Sequence, residues 1–305
     1  MRVCSFLPAV TQMIYDIGLD NELYGVTFEC PEKALAEKKR VVRCELEETN
    51  YTSEEIDRIF SASKADGRSL YYVDDAVLRN IAPDIIFTQD VCEVCQIDTE
   101  CTAAAVAKLD KQPELISISP DSLEDVFSSL LTIGAAFKRE EKAKKHLADL
   151  QSRIDAIIDQ QRAHRLRPRK VSLLEWIDPI YNCGHWIPDQ IAHAGGVDLL
   201  SHPSGDSIVT PWEKIVRYNP EVIVIAPCGF SIERTLQEID ILKSKAEWNT
   251  LKAVQDKAIY IADFDLFTQS SASTLVEGIE LLASLFHPQY FTTPIALQAK
   301  VKPLY

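Results

Sequence analysis

The sequence has few basic residues for its acidic content, and this imbalance limits the partners that the protein can bind. Its 305 residues include 32 Lys and Arg against 46 Asp and Glu, which gives a formal net charge of −14 at pH 7. Proteins that bind nucleic acids or anionic membranes need a concentrated basic surface. The composition therefore argues against nucleic acid as a partner, and we expect a small molecule instead.

Long apolar runs are also missing. No stretch approaches the roughly 20 consecutive apolar residues that cross a bilayer as a helix. The chain opens with RVCSFLP, without the basic and apolar regions of a signal peptide. We therefore expect a cytoplasmic protein, or a periplasmic or cell-surface protein if the chain is a processed mature form.

The sequence lacks the common catalytic motifs. It contains no G-x-S-x-G, no H-E-x-x-H and no Gly-rich phosphate-binding loop, and its carboxylates form no pair at a spacing that demands acid–base catalysis. We therefore expect a binding protein without enzymatic activity. Because a fold does not fix an activity, an enzyme that processes metal chelates stays a further hypothesis.

Eight cysteines are present, too few in a chain of this length for a disulfide scaffold. Cys92 and Cys95 form a C-x-x-C pair after a predicted strand, and Cys30 and Cys228 follow two other predicted strands. Four thiolates can hold zinc tetrahedrally, but a single C-x-x-C is only half of a zinc or iron–sulfur signature. Three interpretations stay open: small apolar thiols, ligands of zinc or iron, and redox-active thiols. An intracellular metal-binding or thiol redox protein is therefore the alternative function.

The most regular segment lies in the middle of the chain. Its apolar residues Leu147, Leu150, Ile154 and Ile157 recur three and four positions apart, which predicts a helix with one narrow apolar face. If this helix runs over residues 139–165, it is about 40 Å long and could join two domains as a stiff strut. A second helix, over SLEDVFSSLLTIGAAF, is predicted just before it.

The parts of the chain that flank these helices resemble each other. LRNIAPDIIFTQD at positions 78–90 aligns without a gap with IVRYNPEVIVIAP at 215–227. Strands alternate with helices in both parts, as in parallel βαβ units. We therefore predict two α/β lobes with central parallel sheets, residues 1–120 and 169–305, joined by helices within residues 121–168. Ligands of such sheets bind beyond the carboxyl ends of the strands, so a ligand cleft is expected between the lobes.

Aromatic residues are concentrated in the predicted strand-end loops of the second lobe, where flat rings suit a large, planar, partly apolar ligand. Because large aromatics are mostly buried, the alternative interpretation is that some of them cover the sheet. The residues predicted to bind the ligand in the second lobe are Trp176, Tyr181, His185, Trp186, Phe230 and Phe267. Those predicted in the first lobe are Pro8, Phe28, Glu29, Gln89 and Asp90.

Seven ordered motifs span nearly the whole chain: VCSFLPAVTQMIYDIGL, GVTFECP, IIFTQDVCEVC, LEWIDP, GHWIPDQIAHAGG, IVIAPCGF and EGIELLASLFHP. This set resembles the cobalamin-binding branch of the helical-backbone substrate-binding proteins of ABC importers. The resemblance implies two Rossmann-like lobes bridged by one long helix, and a corrinoid such as cobalamin, or another metal chelate, as the ligand.

The same resemblance implies specific contacts and partners. Its candidate ligand contacts are the Pro8 loop, Phe28, Trp176 and Trp186, and its partners are the membrane subunits of an ABC importer if the protein is exported. The family leads us to expect His at position 28, where this chain has Phe, so a possible axial donor to a metal centre is missing.

Overall fold

The computed structural model describes residues 1–47, 49, 51–66, 68–89 and 99–305, and of residues 99–101 it describes the backbone only. The chain divides into two compact units. Unit 1 comprises Met1–Pro120 and Phe127–His146, and unit 2 comprises Asp121–Val126 and Leu147–Tyr305. Within the described residues, no helix combines the length and the apolar composition needed to span a membrane.

Unit 1 is built on a sheet in the order β4-β3-β2-β1-β5-β6. Neighbouring strands are parallel except β3 and β4, which pair antiparallel. The strands are β1 (Val3–Ser5), β2 (Leu23–Thr27), β3 (Lys39–Cys44), β4 (Tyr71–Val73), β5 (Ile85–Thr88) and β6 (Glu114–Ser117). The helices include α1 (Pro8–Asp16), α2 (Glu32–Glu37), α3 (Ser53–Ala65), α4 (Asp75–Ile81) and α5 (Thr99–Val106).

Two further helices, α6 (Leu123–Ala136) and α7 (Glu140–Ala163), each contribute residues to both units. The start of α6 is fixed by a reciprocal cap. The Asp125 N–H donates to the Ser122 hydroxyl at 3.2 Å, and the Ser122 N–H donates to the Asp125 carboxylate at 3.0 Å. This pair satisfies amides that would otherwise be left without an acceptor at the helix end.

Helix α7 agrees with the prediction from periodicity. Its 24 residues make it about 36 Å long. Leu150, Ile154 and Ile157 are buried and Leu147 is partly buried, as the three-and-four spacing predicts. Of the charged residues between them, Asp155 is exposed and Arg153 is partly buried. The narrow apolar face therefore accounts for how this helix packs along its unit 2 portion.

Unit 2 is built on a sheet in the order β12-β8-β7-β13-β14-β15, with β10 beside β7. The central strands β7, β13 and β14 are parallel, whereas β8, β12 and β15 pair antiparallel with their neighbours. The strands are β7 (Arg169–Trp176), β8 (Tyr181–Asn182), β9 (Gly184–His185), β10 (Gly196–Val197), β11 (His202–Pro203), β12 (Ile208–Val209), β13 (Val222–Ile225), β14 (Ile259–Ala262) and β15 (Val301–Pro303). The helices include α8 (Ile187–His193), α9 (Trp212–Tyr218), α10 (Ile232–Lys243), α11 (Lys252–Gln255), α12 (Asp265–Thr268) and α13 (Ala272–Phe286).

Both sheets have a parallel centre, as predicted, and both also carry antiparallel strands. The antiparallel strands lie towards the sheet edges, where a pair can form without a helical crossover. The parallel centre of each sheet is as predicted. The ligand cleft predicted between the lobes, and the lobe boundaries at residues 120 and 169, stay predictions.

The internal repeat found in the sequence is also a repeat of backbone conformation. Helix α4 ends at Ala82 with φ 46° and ψ 66°, and α9 ends at Asn219 with φ 50° and ψ 70°. A proline and an acidic residue follow in both units, and each then enters a buried strand. The left-handed residue turns the chain out of the helix, and the proline prevents the helix from continuing.

The acidic residue of the repeat has the same role in both units. The Asp84 carboxylate accepts a hydrogen bond from the Arg2 N–H at 2.8 Å, just before β1. The Glu221 carboxylate accepts one from the Lys170 N–H at 3.1 Å, near the start of β7. Each carboxylate therefore fixes the first part of the central strand beside it, which supports the interpretation of an internal duplication.

Candidate functional site

The candidate site lies where the parallel strands of unit 2 end. Strands β7 and β13 are parallel, and so are β13 and β14, so their carboxyl ends meet at one edge of the sheet. The loops after these three strands, together with Tyr181 and the segment 184–186, form a surface that we call the carboxyl edge of unit 2. Tyr181 belongs to it because it pairs with Trp176 at the end of β7.

A pair of aromatic rings occupies the centre of this edge. Trp176, the last residue of β7, contacts Phe230 of the loop after β13, with ring centroids 5.0 Å apart and planes inclined by 51°. Arg234 lies over the Phe230 ring, with its guanidinium carbon 4.4 Å from the ring centroid. Phe230 is 5% exposed, whereas Trp176 is partly exposed. Phe230 therefore packs behind Trp176 in this structure, and its predicted contact with a ligand stays a prediction.

The loop that carries Phe230 is shaped by one glycine and one helix cap. Gly229 has φ 75°, in the left-handed region, and no atom of the described residues beyond its two chain neighbours lies within 4 Å of the position that a Cβ would take. The Cys228 N–H donates to the Glu175 carbonyl at 3.0 Å, which joins the loop to β7. The Ser231 hydroxyl accepts from the Arg234 N–H at 3.2 Å and begins α10. The open space at Gly229 and the exposed Cys228 leave this part of the edge accessible.

Trp186 is the second partly exposed aromatic of the edge. Its indole N–H donates to the Phe267 carbonyl at 2.6 Å, and its ring lies 5.4 Å from the His185 ring at an interplanar angle of 29°. The Phe267 side chain is fully buried. In this structure the backbone carbonyl of Phe267 contacts Trp186 while its ring packs in the core, and the predicted contact between the ring and a ligand stays a prediction.

The backbone of His185 is held in an unusual conformation. Its φ is 49°, which is uncommon for a residue other than glycine. Its N–H donates to the Gly205 carbonyl at 2.6 Å, and its carbonyl accepts from the Ser204 N–H at 3.0 Å. The ring Nδ1 is buried and has no hydrogen-bond partner among the described residues. Strained backbone that its surroundings hold on both sides is typical of functional sites.

Glu175 brings a titratable group to the same edge. It is partly buried, and its carboxylate accepts a hydrogen bond from the Ser207 hydroxyl. Burial raises the pKa of Glu175 to about 7. The group is therefore partly protonated near neutral pH, and it adds less negative charge to the edge than an exposed glutamate would.

The residues predicted in the first lobe also lie at strand ends, within unit 1. Pro8 begins α1 after β1 and is buried, whereas Phe28 and Glu29 follow β2, Phe28 partly buried and Glu29 exposed. Gln89 follows β5 and is 9% exposed. Because β1, β2 and β5 are parallel neighbours, the structure brings these residues to one edge of the unit 1 sheet. Asp90 lies outside the described residues.

The cysteines give no support to a metal cluster. Cys30 is buried, its thiol donates to the Thr11 hydroxyl at 3.2 Å, and burial raises its pKa to about 12, so it stays protonated. Cys228 is exposed, and Cys92 and Cys95 lie outside the described residues. In the part of the chain that the structure describes, no group of three or more His, Cys, Asp or Glu residues could hold a metal ion. The prediction of Cys30 as a metal ligand is therefore not supported.

Sequence reasoning missed Glu175, Arg234 and Gln190, although the sequence gives a signal for two of them. Glu175 is an acidic residue in an otherwise apolar strand, directly before Trp176. Arg234 lies four positions after Phe230, and side chains at this spacing can contact each other where a helix begins. Gln190 is buried and contacts residues more than 70 positions away, so no local pattern indicates it.

Comparison with known proteins identifies the family. Residues 78–266 match the family described as periplasmic binding protein. The Bacillus subtilis (strain 168) protein described as uncharacterized ABC transporter substrate-binding lipoprotein YvrC is 23% identical over 301 residues, which cover 95% of this chain and 81% of YvrC.

Solved structures show the same two-lobe α/β fold, as predicted. The periplasmic heme binding protein of Pseudomonas aeruginosa superimposes with a TM-score of 0.71 at 17% identity, over 97% of this chain and 96% of that one. The periplasmic vitamin B12 binding protein BtuF of Vibrio cholerae gives 0.62 at 16%, over 94% and 96%. These proteins are described as a lipoprotein or as periplasmic, and they give no support to the predicted cytoplasmic location. Because the family match covers more than half of the chain, the protein belongs to the periplasmic binding protein family, whose members bind small molecules for ABC importers.

Proposed function

We propose that this protein binds a large, planar metal chelate, a tetrapyrrole-like macrocycle, at the carboxyl edge of unit 2 and delivers it to an ABC importer. One observation carries the proposal. Trp176 and Trp186 are both partly exposed at this edge, and each is held in place by neighbours, Trp176 by Phe230 and Trp186 by the Phe267 carbonyl.

Fixed aromatic rings suit such a ligand for a physical reason. A macrocycle has two broad apolar faces, and covering one with an indole ring removes a large apolar area from water. Because the two tryptophans are already held by their neighbours, little side-chain entropy is lost when a ligand binds. The polar groups of the edge can then contact the ligand's peripheral substituents.

Two classes of macrocycle are supported, and we favour the corrinoid. The solved structures that share the fold include one described as heme-binding and one described as binding vitamin B12. The ordered motifs of this chain resemble the cobalamin-binding branch, and this resemblance carries the preference. Phe28 stands where that branch leads us to expect His, so it removes a possible axial donor to the metal of either ligand. Heme is the second ligand to test.

The remaining predictions follow from this proposal. Pro8, Phe28, Glu29 and Gln89 stay proposed ligand contacts from unit 1, and Tyr181 and His185 stay proposed contacts from unit 2. We propose that the protein acts in the periplasm or at the cell surface, where an importer would receive the ligand. A thiol redox or metal-storage function is not favoured, because Cys30 is a buried, protonated thiol.

The proposal is tested by titrating the purified protein with cyanocobalamin and with hemin, following absorbance and the quenching of tryptophan fluorescence. We expect one of the two to bind, and we expect Trp176→Ala or Trp186→Ala to weaken its affinity by about tenfold or more, because each removes a central ring contact.

Trp212→Ala is the matched control. Trp212 is also partly buried, and its indole N–H donates to a backbone carbonyl, that of Ala246, at 2.6 Å. It stacks on Trp248 and lies outside the loops after β7, β13 and β14, so its loss should leave affinity unchanged. Failure of both ligands to bind, or equal affinity in all three variants and the parent, would contradict the proposed function.

A further inference from the structure

The orientation of the Trp186 indole depends on a helix that is too short to be stable by itself. The carbonyl that accepts the Trp186 indole N–H belongs to Phe267 in α12, a helix of four residues. So short a helix is not stable by itself, because a single turn fixes many dihedral angles for few hydrogen bonds. The position of the Phe267 carbonyl must therefore be set by contacts from outside α12.

The side chain of Gln190 supplies such contacts. Its amide nitrogen donates to the Leu266 carbonyl at 2.9 Å and to the Leu275 carbonyl at 2.8 Å, so it joins α12 to α13. Gln190 is fully buried, and its Oε1 has no hydrogen-bond partner among the described residues. A buried acceptor without a partner costs free energy, and such a group in a folded protein calls for an explanation. The amide is oriented so that both of its N–H groups reach the two carbonyls.

The backbone of α13 comes unusually close at this point. A Cβ on Gly278 would lie 2.4 Å from the Leu266 carbonyl oxygen and 2.5 Å from the Gln190 amide nitrogen. No side chain fits in that space without displacing one of the two groups. Gly278 therefore permits the contact between Gln190 and α12.

The side chains of Trp186 and Gln190 lie on the same side of α8. They lie four residues apart at the start of α8, where the Gln190 N–H donates to the Trp186 carbonyl at 3.1 Å. Side chains at this spacing are neighbours on a helix surface. The two side chains donate to consecutive carbonyls of α12, those of Leu266 and Phe267.

We propose that Gln190 is a positioning residue for Trp186: by holding the Leu266 carbonyl, it sets the neighbouring Phe267 carbonyl that fixes the indole ring at the ligand-binding edge. The expected effect of Gln190 on ligand binding rests on the proposed function, whereas its expected effect on the position of Trp186 does not. Without Gln190 the indole would be free to reorient, and a ligand would have to order it on binding, which lowers affinity.

The first test needs no ligand. In a protein whose other tryptophans are replaced by phenylalanine (Trp176, Trp212 and Trp248), the time-resolved fluorescence anisotropy reports the motion of Trp186 alone. Gln190→Met keeps the length of the side chain and removes both donors. We expect it to increase the amplitude of the fast, nanosecond depolarisation of Trp186 while circular dichroism shows the fold intact.

The chain offers a close control. Gln161 also donates its side-chain amide to a carbonyl of α8, that of His193, at 2.7 Å, at the far end of the helix from Trp186. Gln161→Met should leave the anisotropy of Trp186 unchanged. An unchanged anisotropy in folded Gln190→Met, or an equal change in both variants, would overturn the proposal. If Gln190→Met does not fold, Gly278→Ala displaces the same Leu266 carbonyl and should produce the same gain in motion.

The second test is a double-mutant cycle with cyanocobalamin and hemin. Gln190→Met should weaken affinity by about three- to tenfold when Trp186 is present, and by less than about twofold in a Trp186→Ala background. Equal losses in both backgrounds would show that Gln190 acts only through general stability, and would reject a positioning role. If neither ligand binds the unchanged protein, the proposed function fails while the anisotropy still decides the role of Gln190.

Discussion

Glu175 shows how the fold controls the charge of a single residue at the carboxyl edge of unit 2. Burial raises its pKa from 4.5 to about 7, and the Ser207 hydroxyl donates to its carboxylate. The folded protein therefore holds this proton more tightly than the unfolded chain does. Its stabilising contribution is present below about pH 4.5 and is lost as the pH rises through about 7.

We predict that Glu175→Gln makes the protein more stable at alkaline pH. Glutamine stays neutral and can still accept from Ser207, so the free energy of unfolding should exceed that of the parent by about 1–3 kcal/mol at pH 8, with a smaller difference at pH 5. Urea unfolding at the two pH values measures this difference.

The comparison also needs a control for net charge, because any lost acid reduces the repulsion within a chain of charge −14. Glu213→Gln, at an exposed position of α9, supplies it. If both variants change stability equally at pH 8, burial of Glu175 has no effect of its own and the prediction is wrong.

At the residue scale, the sequence indicates which residues reach the edge but not which way they point. Trp176 and Trp186 could be placed there because they follow a strand and a loop of a recognisable βαβ pattern. The rings of Phe230 and Phe267 could not be assigned to the core, because a residue in a loop has no periodicity that fixes its direction. The bond from Trp186 to the Phe267 carbonyl joins residues 81 positions apart. Contacts of that kind arise only when the chain folds.

At the scale of elements, periodic helices were predictable and edge strands were not. Helix α7 was placed within two residues of its bounds, because a long three-and-four pattern repeats over several turns. Strand β3 escaped prediction because its sequence KRVVRC begins with charges, and β4 because it is three residues long. Strand β4 is the edge strand and β3 is its neighbour, and towards the edge of a sheet burial on two faces is not required and the apolar signal is weak.

The repeated helix ends give an element-scale prediction, since Ala82 and Asn219 have nearly the same left-handed backbone. Asparagine tolerates this conformation better than alanine does. Ala82→Asn, which gives unit 1 the residue of unit 2, should therefore raise the free energy of unfolding by about 0.5–1 kcal/mol. Thermal or urea unfolding measures the change.

The control is the same substitution inside an ordinary helix. Ala62 is exposed in α3, and Ala62→Asn should lower the free energy of unfolding by about 0.5 kcal/mol, because asparagine is the poorer helix former. A gain in stability at position 82 together with a loss at position 62 would show that the gain comes from the left-handed backbone and not from asparagine itself. Equal destabilisation by both substitutions would mean that Ala82 is not strained.

At the scale of the whole molecule, the internal repeat was the most informative feature of the sequence. The gapless match between residues 78–90 and 215–227 predicted two similar α/β units, and both have the same helix end, proline, acid and buried strand. The role of the acid was not predictable, because the amide that it binds lies 82 positions away in unit 1 and 51 in unit 2. The ligand was not predictable from the fold either, since one fold binds many ligands.

The net charge of the whole chain should help to separate the two candidate ligands. At −14, the protein repels an anion, and added salt screens that repulsion. Hemin has two carboxylates, whereas cyanocobalamin has amide side chains and no net charge. Raising ionic strength from about 20 to 200 mM should therefore tighten hemin binding by about threefold and leave cyanocobalamin binding nearly unchanged. Fluorescence titration at the two salt concentrations measures how the affinity for each ligand depends on ionic strength. Hemin that binds more weakly at high salt would point to local cations, such as Arg234, outweighing the charge of the whole molecule.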